Sequence, residues 1–431
     1  MSKFQIIILG VFVLCVIVGV ALFATYKGGG SSSSQLPPIT IWGTFSADTF
    51  NNYVSKVNLT LPLPLNVTYI HKSQSSFSQD FIAALARGTG PDAILIPADM
   101  LLPHLDKISV IPYTALAQRT FMDTYIQEGQ VYLAKNGVKA LPLVIDPLVM
   151  YWNRDMFAAA GVAAYPKYWD EFAALNKQIT QKDENDNIRK SAIALGDFTN
   201  VMNARELLGT LFLQIGNPIT VSDSEGLVGS ALKASGSANP TTIVNFFTQF
   251  VDPNSGDYSW NRGMPDSKTA FLSGMLATYF GFASELADIR AKNPNLNFDA
   301  APIPQSKTSG IKTAYARMYG LSIVRASANQ NAAYQTLAIL TSPSSLPLLS
   351  AMTYLPSVNV NIIAAGSTDP YITIFNKAAL IAKTWRDADP AQSYSIFGGM
   401  INAVTSGALT AHDALNDASD RYDVVLRQAQ Q

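Results

Sequence analysis

Between Ile39 and Pro97 the chain alternates short β-branched runs with amphipathic helical stretches, and this order restricts the fold more than any other feature. "ITIWGTF" (residues 39–45) alternates apolar with polar side chains and breaks at Gly43, as a buried strand that ends in a loop does. "LNVTYIHK" (residues 65–72) is a second strand, β-branched in its middle. Residues 46–56 between them place Phe50, Tyr53 and Val54 on one helical face. A strand–helix–strand unit of this kind predicts a parallel sheet. "SSFSQDFIAALARGTG" continues with Phe77, Phe81, Ile82 and Leu85 at helical spacing, Ser76 or Ser78 as cap, and Gly88 to Gly90 as stop. "PDAILIPAD" then supplies a third strand, residues 93–96. The loops at the carboxyl ends of the first and third strands, residues 42–46 and 97–99, are where open α/β sheets hold ligands.

Further along, residues 138–145 are extended and interrupted by Pro142, and residues 148–152 form another apolar strand. A helix begins near Tyr168 with Phe172, Leu175 and Ile179 inward, and a largely helical middle follows. No fixed-period repeat appears, which argues against a solenoid. With 431 residues the chain is too long for one compact core and suits two α/β lobes.

The charge is sparse and balanced: 14% of residues are charged and the formal net charge is −1. A nucleic-acid binder needs a concentrated positive field, so that class is excluded as a partner. His71, His104 and His412 are far apart and predict surface or helix-end roles rather than a metal site. Cys15, the one cysteine, lies within an uncharged apolar run, residues 4–26, preceded by Lys3. At 1.5 Å per residue, about 23 residues span the roughly 30 Å hydrocarbon core. The run is expected to be an uncleaved transmembrane anchor that leaves the soluble part on the extracytoplasmic side of the cell membrane. A cleaved signal peptide and a lipoprotein signal are the alternatives. "ALFATYK" lacks a small-x-small cleavage site, and Leu14 precedes Cys15 where lipid-attachment signals want a small residue. Residues 27–38, "KGGGSSSSQLPP", make a flexible Gly/Ser linker stiffened at its exit by Pro37 and Pro38.

Five segments together resemble the family 1 extracellular solute-binding proteins of ABC importers, the maltose-binding-like group. They are "VIDPLVMYWNRDMFAAAGVAAYPKYWDEF", "RGTGPDAILIPAD", "TAFLSGMLATYFGF", "YGLSIVRASANQNAAYQTLAILTSPSS" and "SGALTAHDALNDASDRYDVVL". The match runs from about Ile39 to the C-terminus in the family's order. It departs at "RMYG", where two glycines are usual, and in lacking the lipid-attachment cysteine. The resemblance implies a two-lobed α/β periplasmic-binding-protein type II fold with a hinge of three crossovers, near residues 141–146, 312–315 and 355–357. Lobe 1 would comprise residues 39–141 and 316–354, and lobe 2 residues 146–312 and 358–431. Ligand binding would close the lobes by hinge motion.

A sugar asks for flat aromatic faces against its C–H surfaces and for carboxylates or amides on its hydroxyls. Trp42 at the first strand's end is the leading aromatic candidate, with Ser46 as its polar neighbour; a core tryptophan is the alternative. By the resemblance, Asp99 and Asp146 occupy positions of ligand-contacting acids, though an exposed carboxylate or a helix cap fits either residue as well. Asp92 is read as fixing a turn and stays outside the site. Phe282 follows Gly281 at a strand end that faces the cleft in this family. Tyr315, Arg317 and Tyr319 surround the second crossover. The planar Arg317 guanidinium could pair with hydroxyls or with an anion, or form a salt bridge between lobes. Tyr394 and Phe397 precede the last helices and would close the cleft, while Trp260 and Trp385 offer further stacking surfaces.

The expected function is capture of a small polar ligand, a sugar or oligosaccharide, for delivery to ABC importer permease subunits. No catalytic residue, metal or cofactor is expected, because no G-x-S-x-G, zinc or phosphate-loop motif occurs. Polyol, polyamine and anionic ligands remain open. So do a membrane-anchored sensor or adhesin on the same fold and a secreted glycosidase built on Asp99 and Asp146.

Overall fold

The computed structural model describes residues 35–224, 226–233 and 239–430. The anchor and most of the linker expected from the sequence lie outside these residues. Among the described residues, no helix is long and apolar enough to cross a membrane.

Strand β1 (Ile39–Gly43) pairs in parallel with β2 (Val67–His71) and with β3 (Ala93–Pro97). The parallel order follows from helix α1 (Ala47–Asn58), which carries the chain back over the sheet and buries Phe50, Tyr53, Val54 and Val57. Ser46 caps α1, its side chain accepting from Thr49 N at 3.4 Å. Helix α2 (Phe77–Ala86) starts after Ser76 and stops before Gly88, whose φ of 70° is the left-handed conformation that ends helices. His104 departs from the expected surface role. Although it ends a short 3₁₀ turn, it is fully buried between the rings of Phe77 and Phe81, with Nε2 3.1 Å from Ser78 Oγ. Burial there pushes its pKa down to about 4, so the ring stays neutral.

The sheet gains its length from one strand. β4 (Leu141–Asn153) runs unbroken where the sequence predicted two extended pieces. The remaining strands are β5 (Gln181–Lys182), β6 (Ile188–Ile193), β7 (Leu276–Phe282), β8 (Phe298–Ala301), β9 (Ala314–Ile323) and β10 (Ala382–Lys383). They form a ten-stranded sheet of order β2-β1-β3-β9-β4-β7-β6-β5, with β8 also on β4 and β10 on β9. Residues 141–147 of β4 pair with β9, and residues 148–153 pair with β7 and β8. Proline lacks the N–H a central strand needs, and β4 accommodates Pro142 at an irregularity. The register slips between Tyr319 and Gly320 of β9, which face Val144 and Pro142, leaving Leu143 as the extra residue. Gly320 is required there, since a Cβ would come within 2.6 Å of the Tyr132 ring, whose hydroxyl donates to Met318 O at 2.6 Å.

Helix α3 (Ala204–Gln214) is buried along almost its whole length, and α4 (Pro390–Thr405) packs against α5 (Ala411–Gln428). Strand β4 therefore belongs to two blocks of structure at once, one around β1–β3 and β9 and one around β6–β8.

Candidate functional site

Asp99 begins the site. β3 ends at Pro97 and turns at once into a 3₁₀ turn, Ala98–Met100, which draws the Asp99 carboxylate inward until it is 2% exposed. Its Oδ2 accepts from the Tyr315 hydroxyl at 2.8 Å and from Arg205 Nη2 at 3.3 Å. Its Oδ1 is buried with no hydrogen-bond partner among the described residues. A buried acceptor without a donor is costly, and such atoms cluster at binding sites.

Arg205, on the first turn of α3, organises the rest. Nε donates to Ser393 Oγ at 2.8 Å, Nη1 to Glu206 Oε1 at 2.9 Å, and Nη2 to Asp387 as well as Asp99. Its guanidinium carbon lies 4.6 Å from the ring centre of Trp385, which is itself 4.9 Å from the Tyr315 ring. Asn203 sets the approach of this helix. It holds φ 57° just before α3, and its Nδ2 donates to Phe280 O at 3.2 Å and Glu285 Oε1 at 3.1 Å.

A second guanidinium lies alongside. Arg317 on β9 stacks on Phe282, 3.7 Å from guanidinium carbon to ring centre, with Nη2 3.9 Å from Glu206 Oε1. Asp146 is its register partner on β4 and receives Ser284 N at 3.0 Å and Ser284 Oγ at 2.6 Å. Tyr319 lies two residues along from Arg317 and meets Phe45 edge-on at 5.4 Å.

The electrostatics follow from burial. Asp146 is pushed up to about 6 by burial, against the Ser284 hydrogen bonds and Arg317. Burial likewise raises Asp99, with Arg205 opposing. Burial works upward on Glu206 too, but Arg205 and Arg317 together outweigh it and hold the carboxyl below its ordinary value. The group thus contains four carboxyls, Asp99, Asp146, Glu206 and Asp387, facing two guanidiniums. Rigid donors, acceptors and aromatic faces held this way can bind hydroxyl-rich molecules, and nothing in them requires a metal.

Of the residues expected from the sequence, the structure brings Asp99, Asp146, Phe282, Tyr315, Arg317 and Tyr319 together. Tyr394 lies at the margin, 43% exposed and 4.8 Å from the Phe198 ring. Four others lie elsewhere. Trp42 is buried in β1 with Lys72 Nζ 4.2 Å from its ring centre. Ser46 is exposed at the start of α1, where its side chain caps the helix. Phe397 is fully buried against Tyr422 between α4 and α5. Trp260 is a core side chain, its Nε1 donating to Asn200 Oδ1 at 2.8 Å. Sequence reading missed Arg205, Glu206, Asp387 and Ser393. The one available signal was an Arg-Glu pair opening a helix whose remaining residues are mostly apolar.

This sheet order, with one long strand running from one block into the other and a buried polar group beside it, is that of a two-lobed α/β fold. Residues 65–346, more than half of the chain, match the family model for bacterial extracellular solute-binding proteins, and the chain belongs to that family. Solved structures agree on the fold. The chain is similar to a cyclo/maltodextrin-binding protein complexed with maltotetraose, at 15% identity and TM-score 0.71, covering 93% of this chain and 99% of the other. It is also similar to the cyclic α-maltosyl-1,6-maltose binding protein of Arthrobacter globiformis, at 16% identity and TM-score 0.71, covering 91% and 100%. The GacH receptor of Streptomyces glaucescens, described unliganded and with acarbose, aligns at 17% identity and TM-score 0.69, covering 90% and 98%. No curated protein sequence matches the chain.

Proposed function

We propose that the chain is an extracytoplasmic receptor that captures a saccharide between two lobes and hands it to an ABC importer. The observation that carries this reading is the buried polar group around Asp99 and Arg205. Asp99 extends from the end of β3, whereas Arg205 and Glu206 come from α3, Asp387 from the segment leading into α4, and Ser393 from its first turn. The Arg205–Asp99 and Tyr315–Asp99 links therefore tie one block of the fold to the other. Saccharide hydroxyls would take over these links, accepting from Arg205 and Arg317 and donating to Asp99 and Asp146, with the unpaired Asp99 Oδ1 as a further acceptor once the group opens to the ligand. Phe282, Trp385 and Tyr394 would supply the apolar faces, and Trp42, Ser46 and Phe397 drop out of the contact set. The lobes would be residues 39–141 with 316–354 and residues 146–312 with 358–431, hinged where β4 and β9 pass between them. That the similar proteins named above are described with maltotetraose or acarbose, or as binding a cyclic maltose saccharide, supports a saccharide ligand. Retention at the membrane through residues 4–26 belongs to the same proposal.

The test is thermal unfolding of residues 35–431 against maltotetraose, mannobiose and monosaccharides, with spermidine for comparison. A ligand at 100 times its dissociation constant adds about 2.7 kcal/mol of stability. A raised melting temperature with one saccharide class supports the proposal. A rise with spermidine and none with any saccharide overturns it.

A further inference from the structure

A pocket of about 390 Å³ lies beside the buried charge group, with Ala98 of the Ala98–Met100 turn in its lining and none of the group's charged residues. Leu101, Leu102 and Leu105 give it apolar walls, and the charged side chains among its described lining residues, Lys135, Lys139 and Arg386, are all cationic. These cations spend little on the protein. Lys139 Nζ donates to Leu105 O at 3.2 Å, and Arg386 Nη2 reaches Val131 O at 3.4 Å. Among the described residues, none of the three forms an ion pair. Asp106, the acid whose charge reaches Lys139, is held by Lys107 at 2.8 Å. Burial lowers the Lys139 ammonium first, and the positive charges of Arg325 and Arg386 lower it further. Partly buried like charges without a counterion repel one another, and an anion among them relieves that cost.

We infer that this pocket binds a small organic anion, its carboxylate or phosphate met by Lys139 and Arg386 and its carbon body resting on Leu101, Leu102 and Leu105. The volume lies within the range of small-ligand sites. Lys135, exposed at the rim, steers the anion inward. The inference is separate from the saccharide reading, because none of the pocket's cations belongs to the group around Asp99. The two sites are nonetheless neighbours. Arg386 stands between Trp385 and Asp387, and Ala98 directly precedes Asp99.

Isothermal titration of the full chain at low ionic strength with citrate, glucose 6-phosphate and inorganic phosphate tests it. At least one of the two organic anions binds saturably. That binding weakens tenfold or more in Lys139→Met and in Arg386→Met, is kept in Lys139→Arg, and persists in Asp99→Asn. The Asp99→Asn arm separates this pocket from sugar capture, and thermal melts of each variant separate lost binding from lost folding. Binding of neither organic anion, affinity unchanged in folded Lys139→Met, or loss of glucose 6-phosphate binding in Asp99→Asn would overturn the inference. Inorganic phosphate binding as tightly as the organic anions would remove its apolar half.

Discussion

Arg205 lies 2% exposed among three carboxylates, an arrangement that stabilises the fold little but punishes disruption heavily. Arg205→Met would leave Asp99 and Asp387 buried without the cation they share, and Glu206 with Arg317 alone. It should cost about 3–5 kcal/mol, read as a large fall in melting temperature. Asp99→Asn is expected to behave differently, because Arg205 keeps Asp387 and Glu206. Stability should move by about 1 kcal/mol or less, while saccharide affinity falls about tenfold through loss of a charged acceptor, which titration would measure. Asp99 was legible because it follows a strand at the carboxyl edge of a parallel sheet and because the family resemblance places an acid there. Arg205 was not: its partners Asp99 and Asp387 lie 106 and 182 positions away. No local pattern announces such contacts.

Among the elements, β4 and α3 show where sequence patterning works and where it gives out. The alternation of residues 39–97 specified three strands and two helices because each buries one face with its own period. The prolines of β4 broke that pattern, and only the pairing with β9 makes the element continuous. "RMYG" is also explained at this scale. Gly320 is forced by the Tyr132 ring, whereas the neighbouring Tyr319 has space to meet Phe45. For α3 the entry residue is decisive. Asn203→Ala loses both the amide bonds and tolerance of positive φ, whereas Asn203→Gly loses the bonds alone. The alanine variant should be less stable than the glycine variant by about 1–2 kcal/mol in chemical denaturation.

Across the whole molecule, Glu128 links distant parts of the chain. Its buried carboxylate accepts from Thr384 N at 2.7 Å, with Lys383 Nζ at 3.8 Å. Burial pushes its pKa up to about 8 despite Lys383 and that hydrogen bond. A raised folded-state pKa means the native protein holds the proton more tightly than the unfolded chain. Glu128 therefore contributes stability that is complete below about 4.5 and is lost as pH rises through about 8. Glu128→Gln cannot ionise, so its melting temperature should gain on the wild type as pH goes from 5 to 9, and parallel curves would refute this. The fold class and the order of its segments were legible from Ile39 onward, since family motifs and helix–strand periodicity pointed the same way. The Arg205 side of the site was not legible, because Arg205, Glu206, Asp387 and Ser393 meet Asp99 and Tyr315 only through contacts between distant stretches of chain. The most direct test of the central claim is titration of maltotetraose and related saccharides into wild-type and Asp99→Asn protein. The account predicts saturable one-to-one binding to the wild type, weakened about tenfold by the substitution. Absence of binding by every saccharide, or equal affinity in both proteins, would contradict it.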